Sequence, residues 1–260
     1  MSLQPVALHY REYGKPESPP VLMLHGLFGA SGNWQGVVKQ LQENYRVILP
    51  DLRNHGRSPH HPVLDYPSMA ADLLALLQQL KLDSATLVGH SMGGKAAMWL
   101  ALNQPERVQR LVVADIAPVS YASRFDQILQ GLRELPLAQL PGREAADHSL
   151  AQRIPQRAVR QYLLQNLVKQ ADSWQWRFNL PALDRNIDTI AGFPSSEGLS
   201  YAGEVLFLYG EKSDYVQAEH RATIDRLFPH ARLRMIHGAG HWLYAEQTEA
   251  FSRAVKAFLK

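Results

Sequence analysis

Ser91 stands in Gly89-His90-Ser91-Met92-Gly93-Gly94, directly after the apolar run Ala85-Thr86-Leu87-Val88. Directly after it comes Lys95-Ala96-Ala97-Met98-Trp99-Leu100-Ala101-Leu102. The first run reads as a buried strand and the second as part of a helix, so the serine falls on the corner between them. Glycines two residues to either side remove the side chains that would crowd a tight turn. Such a corner exposes the hydroxyl. The following helix aims its free N–H groups and the positive end of its dipole at whatever the hydroxyl attacks. An acyl-transfer nucleophile needs that arrangement. The alternative is a glycine-rich turn whose serine only caps a helix.

A serine hydroxyl is a poor nucleophile at neutral pH and needs a base. The chain has 11 histidines to choose from and no cysteine. The missing cysteine excludes a thiolate nucleophile, a disulfide scaffold and a cysteine–zinc site. His237 and His241 are four apart, but Gly238 and Gly240 between them argue against a shared helix face and so against a metal pair. No metal and no cofactor is implied. His25 and His55 read as braces for their loops, and His90 as the variable residue of the corner.

The elements that must position these residues follow from periodicity. Val6 to Tyr13 alternates like a half-buried edge strand, and Val21 to Leu24 is a short apolar run like a strand covered on both faces. Further strands are expected at Arg46 to Leu49, Val108 to Ala114, Glu204 to Tyr209 and Arg232 to His237. Helical spacing marks Asn33 to Leu41, Tyr66 to Leu80, Met92 to Leu102, Tyr215 to Phe228 and Trp242 to Leu259. Alternating strands and helices specify a doubly wound, mostly parallel α/β sheet, which binds ligands at the carboxyl ends of its strands. His25, Asp51, Ser91 and Asp115 all follow such ends.

Residues 120 to 200 differ in character, with Pro136, Pro141, Pro155, Pro181 and Pro194 and many Gln and Arg. They hold no convincing strand. Amphipathic helices fit around Phe125 to Leu132, Glu144 to Arg153 and Gln156 to Leu167. This reads as a helical lid over a core formed by 1–119 and 201–260. Tyr121, Trp174, Trp176 and Phe178 are candidate pocket walls, and Arg143, Arg153, Arg157 and Arg160 candidate partners for an anionic group. Both sets are as readily explained by ordinary packing and solvation.

With 260 residues, 46% hydrophobic content and a net charge of +3, one compact domain with an insertion is the default. The charge is too weak and too dispersed to argue for nucleic acid. No apolar stretch is long enough to span a bilayer, and Met1 to Tyr10 lacks a basic region followed by an apolar one. The expectation is a cytoplasmic protein. The oligomeric state is unreadable.

Three stretches carry a resemblance that covers nearly the whole chain: His25-Gly26-Leu27-Phe28-Gly29, Asp51-Leu52-Arg53-Asn54-His55-Gly56-Arg57-Ser58, and Gly89-His90-Ser91-Met92-Gly93-Gly94. With them the sequence resembles the α/β-hydrolase superfamily. Arg53-Asn54-His55-Gly56 and the residues around Asp115 and Ser213-Asp214-Tyr215 are most similar to the YbfF-type serine esterases. The resemblance implies an α/β-hydrolase fold with its lid inserted after the sixth strand. It implies catalytic residues in the order serine, acid, histidine. His241, in the loop Gly238-Ala239-Gly240-His241-Trp242, then becomes the base for Ser91. The acid is a choice between two residues. Many members take it after the strand that follows the lid, at Gly-x-x-Asp. Here Gly210-Glu211-Lys212 is followed by Ser213, and Asp214 comes one residue late. The YbfF-type pattern instead favours Asp115, with Ser213 as an accessory that helps orient His241 or Asp115. An oxyanion hole is implied at the backbone N–H groups of Leu27 and Met92. The implied reaction is hydrolysis of a small-molecule acyl ester or thioester, including acyl-coenzyme A thioesters, through an acyl-enzyme on Ser91. The rival readings are a carbon–carbon bond hydrolase or lyase using the same residues, and a ligand-binding member without useful turnover.

Overall fold

A computed structural model describes residues 4–171 and 173–260. The order of elements is β1 (Tyr10–Tyr13), β2 (Pro20–Leu24), α1 (Gln35–Leu41), β3 (Arg46–Pro50), α2 (Tyr66–Gln79), β4 (Ala85–His90), α3 (Met92–Asn103) and β5 (Val108–Ala114). Next come α4 (Asp126–Glu134), α5 (Arg143–Ala151), α6 (Arg157–Leu164), β6 (Leu167–Gln170), β7 (Ser173–Trp176), α7 (Leu180–Arg185) and α8 (Ile187–Ala191). The chain ends with β8 (Glu204–Gly210), α9 (Arg221–Leu227), β9 (Ala231–Ile236), α10 (Leu243–Glu246) and α11 (Thr248–Leu259).

Seven strands form one sheet in the order β1-β3-β2-β4-β5-β8-β9. Only β1 is antiparallel, to β3; every other pair is parallel. Helices cover both faces, which is why β2, β4 and β5 read as continuous apolar runs. Successive side chains of β2 go to opposite cores. Leu22 and Leu24 pack with residues of α2 and α3, such as Leu73, Leu77 and Met98. Val21 and Met23 pack with residues of α1, α10 and α11, such as Val37, Leu243 and Phe251.

The structure corrects the sequence reading at several elements. The edge strand begins only at Tyr10, because Val6 and His9 give their amides to the side chains of Asp72 and Ser58. Five strands precede the helical insertion, so it follows the fifth strand and not the sixth. The insertion is not free of strands: β6 and β7 pair antiparallel as a hairpin. Its strands are four residues each and rich in Gln, Lys and Ser, too short and too polar to read as strands. The helix expected from Tyr215 begins at Arg221, because Tyr215 is held by Tyr121, whose hydroxyl donates to its carbonyl. The last helix breaks at Gln247, where Glu246 turns back to accept the amides of Gly240 and Trp242.

One buried ion pair ties the N-terminal segment to this frame. Arg53 and Asp72 are both fully buried, and the guanidinium meets the carboxylate twice, at 2.6 and 2.7 Å. Its remaining N–H groups go to the carbonyls of Gln4, Val63 and Ser68. Removing one partner strands the other charge, at about 3–5 kcal/mol. Arg53→Met is therefore expected to lower unfolding free energy by about that much in urea titration. A loss below about 1 kcal/mol would show that the pair contributes little.

Candidate active site

The corner after β4 is tight. Ser91 has φ 51° and ψ −118°, a conformation that side chains other than glycine's rarely adopt, and its amide bonds the carbonyl of Ala114 at 3.0 Å. A Cβ on Gly93 would lie 2.5 Å from the Leu24 carbonyl oxygen, and one on Gly89 2.4 Å from that of Gly93. Only glycine lets α3 start this close to the end of β2. The motif's glycines are thus a packing requirement, and the strain they permit falls on the serine.

Asp115 ends the neighbouring strand with φ 54° and is completely buried. Its Oδ1 accepts the Gly210 amide at 2.9 Å. Its Oδ2 lies 2.7 Å from Nδ1 of His241 and also accepts the hydroxyl of Ser213. With the carboxylate ionised, His241 carries its proton on Nδ1 and keeps Nε2 as an acceptor. The imidazole is held on two other sides. His90 donates from Nε2 to the His241 carbonyl at 2.8 Å, and the Tyr215 ring stacks on it at 4.2 Å. Asp214 is not part of this group. Its side chain is 59% exposed and pairs with Arg124. The one-residue offset in Gly210-Glu211-Lys212-Ser213-Asp214 thus places Ser213 inside and Asp214 outside.

The loop after β2 is held at the carbonyls of Gly26, Leu27 and Phe28. His25 donates from Nδ1 to the Gly26 carbonyl at 2.8 Å and accepts the Leu52 amide on Nε2 at 3.0 Å. Tyr162 donates to the Leu27 carbonyl, and Asn166 to that of Phe28. His55 accepts the Phe28 amide on Nε2 at 3.2 Å and donates from Nδ1 to the Arg53 carbonyl at 2.9 Å. The amides of Leu27 and Met92 donate to no other group among the described residues. His25 and His55 do brace loops, as their surroundings in sequence indicated. Sequence reasoning missed His90, Tyr162 and Asn166. His90 looked like a free position of the corner, and the other two reach the loop only through tertiary folding of the insertion.

Ser91 lines two adjoining cavities. One, of about 410 Å³, also holds His241 and is walled by Phe28, Phe125, Ile128, Leu163 and Trp242. The other, of about 30 Å³, is lined by Tyr66, Tyr121, Ile190 and Lys95. Lys95, also missed, is buried and donates to the carbonyls of Ala191 and Gly192 at 2.8 and 2.6 Å. Burial lowers its ammonium to a pKa of about 7. Of the aromatic residues expected as walls, Tyr121 lines the small cavity. Trp176 and Phe178 instead stack on each other beneath Phe28. Trp174 lies over Arg143. The expected anion partners are engaged elsewhere: Arg153 pairs with Glu134, Arg160 with Asp147, and Arg143 donates to the Leu167 carbonyl. Arg157 lines an open surface hollow with Arg143 and Glu144. No cluster of three or more metal-ligating side chains occurs among the described residues, and no helix there is long and apolar enough to cross a membrane.

Sheet order, serine corner and histidine loop together define one class of protein. The family model for the α/β hydrolase fold matches residues 19–248, and the chain belongs to that family. Among its relatives, it is 40% identical to the sn-1-specific diacylglycerol lipase ABHD11 of Danio rerio, over 98% of this chain and 83% of that protein. It is 37% identical to esterase YbfF of Escherichia coli K12, over 92% of each. The solved structure of a marine microorganism esterase superposes with a TM-score of 0.94 at 35% identity, covering 97% of this chain and 99% of the other.

The buried histidines set a pH dependence. Burial lowers the pKa of His25, pushes that of His55 down to about 3 and holds that of His90 well below 6.5. All three are neutral in the fold but protonate in the unfolded chain below about 6.5. Unfolding therefore takes up protons, and stability falls as pH drops from about 6.5 towards 3. His55 alone accounts for about 2 kcal/mol of loss by pH 5. Denaturant titrations at pH 7 and pH 5 are expected to show at least that difference. Equal stability at the two values would mean that the three rings are not held neutral.

Proposed function

We propose that this chain is a serine ester hydrolase working through an acyl-enzyme on Ser91. The observation that carries the reading is the 2.7 Å contact between His241 and the buried Asp115, beside a strained serine and two unpartnered amides. In this mechanism the Ser91 oxygen attacks the ester carbonyl carbon while Nε2 of His241 takes its proton. Asp115 holds Nδ1–H and stabilises the imidazolium. The carbonyl π electrons move to oxygen, and that oxyanion accepts hydrogen bonds from Leu27 and Met92, each worth about 3 kcal/mol at the barrier. Collapse breaks the bond to the leaving alcohol or thiol, which departs with the proton from His241. Water then repeats the sequence and releases the acid and free Ser91. Ser213 shares the Asp115 oxygen that faces His241, and so positions the carboxylate.

The lid, residues 120–200, roofs the substrate in this reading. The 410 Å³ cavity is walled mainly by aromatic and aliphatic side chains, which suits a chain of several carbons. The relatives named as esterases and a diacylglycerol lipase support a carboxylic ester as substrate class. Thioesters pass through the same tetrahedral intermediate and are included.

Chromogenic esters of graded acyl length, with matched thioesters, test this directly. Ser91→Ala is expected to lose turnover by about 10⁴-fold or more and to escape labelling by a fluorophosphonate. Residual turnover near wild type would refute the acyl-enzyme. Asp115→Asn should lower kcat by about 10⁴-fold, whereas Asp214→Asn should stay within about twofold. The reverse ranking would reassign the acid. Ser213→Ala should lower kcat with KM little changed; an unaltered kcat would discard its positioning role.

A further inference from the structure

The four lid arginines expected to meet an anion are engaged or lie on open surface, but Arg177 of the lid and two arginines of the core line a separate cavity. Arg11 comes from β1, Arg57 from the loop after β3 and Arg177 from the residue following β7. With Asn33, Gln165 and Asn166 they line a space of about 100 Å³ that shares no lining residue with either cavity at Ser91. That volume corresponds to roughly three waters, enough for a small oxyanion. Among the described residues none of the three guanidinium groups makes a hydrogen bond or an ion pair. This contrasts with Arg53, Arg110, Arg133 and Arg160, each of which has a carboxylate partner.

One carboxylate, Asp51, also lines the space, yet it is already committed. Its Oδ1 accepts the Ser31 amide at 2.7 Å, and its Oδ2 accepts the Arg57 amide at 2.9 Å and faces Nδ1 of His9 at 3.2 Å. Three cations from distant parts of the chain therefore outweigh one satisfied anion. Like charges gathered this way repel, and an anion between them removes the repulsion. The planar guanidinium fork suits the paired oxygens of a phosphate. Asn33 is held by the Ala30 amide and by Gln165, so the wall is built and does not have to form around a ligand.

We propose that this cavity is a phosphoryl-binding site, occupied by inorganic phosphate or by the phosphate of a small phosphomonoester. It lies behind the loop that carries Leu27, and Asn166 joins the two by donating to the Phe28 carbonyl at 2.6 Å. Asn166 also lines the proposed phosphate site.

The test is calorimetric titration of the full chain with inorganic phosphate at constant ionic strength, using chloride as the matched control. The expected result is one saturable site per chain. Arg57→Gln and Arg177→Gln should each weaken it about tenfold, whereas Arg157→Gln, on the open surface, should not. Arg57 is exposed, so its replacement leaves the fold intact, as circular dichroism checks. Ser91→Ala should bind phosphate like wild type, which separates this site from the hydrolytic reading. Parallel titrations with a soluble phosphomonoester and with phosphatidic acid vesicles distinguish free from lipid-borne phosphate. Absence of a saturable site, binding by vesicles alone, or equal weakening by Arg157→Gln would overturn the proposal.

Discussion

The site depends on the immobility of a three-residue loop. Gly26, Leu27 and Phe28 offer three carbonyls, and each is taken by a side chain: His25, Tyr162 and Asn166. The Phe28 amide is taken by His55, and the Leu27 amide remains. A backbone donor is useful for stabilising charge only if it is aimed before the charge appears. If the Leu27 amide serves as proposed, its aim is fixed from two directions. The loops after β2 and β3 supply the histidines, and the segment between β5 and β8 supplies Tyr162 and Asn166. Both histidines must be neutral to serve, because each donates through one nitrogen and accepts through the other. Burial keeps them so, and a fold that loses stability in acid is the expected consequence.

The histidine loop follows the same logic. His241 is set by a carboxylate at one ring nitrogen, by a stacked Tyr215 and by the grip of His90 on its backbone. Asp115 is in turn fixed by the Gly210 amide and Ser213. The groups that orient are as numerous as the groups that would react. Several come from the ends of β5 and β8, adjacent strands separated in sequence by the mainly helical segment, so that segment interrupts the chain without interrupting the site. Lys95 anchors the far end of that insertion, holding the carbonyls of Ala191 and Gly192 from the helix that begins next to Ser91.

The sheet was legible because its signal is local. Runs such as Val21 to Leu24 are apolar on every residue, which only a strand covered on both faces tolerates. The corner at Ser91 was legible because its glycine spacing is a local pattern, although the contact that Gly93 answers, the Leu24 carbonyl, is remote in sequence. The hairpin at Leu167 to Trp176 was not, since its strands are four residues each and half polar, too short to show a period. Nor were the functions of His90, Tyr162 and Asn166, whose partners lie 151, 135 and 138 residues away. For the acid, periodicity left Asp115 and Asp214 open. Which of the two meets His241 is decided by strand register, since Gly210 donates to Asp115 from the adjacent strand.

Positive φ at residues other than glycine occurs at Phe28, Ser91 and Asp115, all in the site, and otherwise only at Asn54, Lys81 and Ala171 among the described residues. Each such backbone costs on the order of 1 kcal/mol or more. Robustness and reactivity therefore compete for the same few positions. Selection for heat tolerance alone would drift towards glycine at Ser91 or Asp115, relaxing the backbone and discarding the proposed nucleophile or acid. Thermal hardening of this scaffold has to be sought elsewhere, in its surface loops and helix ends, leaving the tense corner as it is.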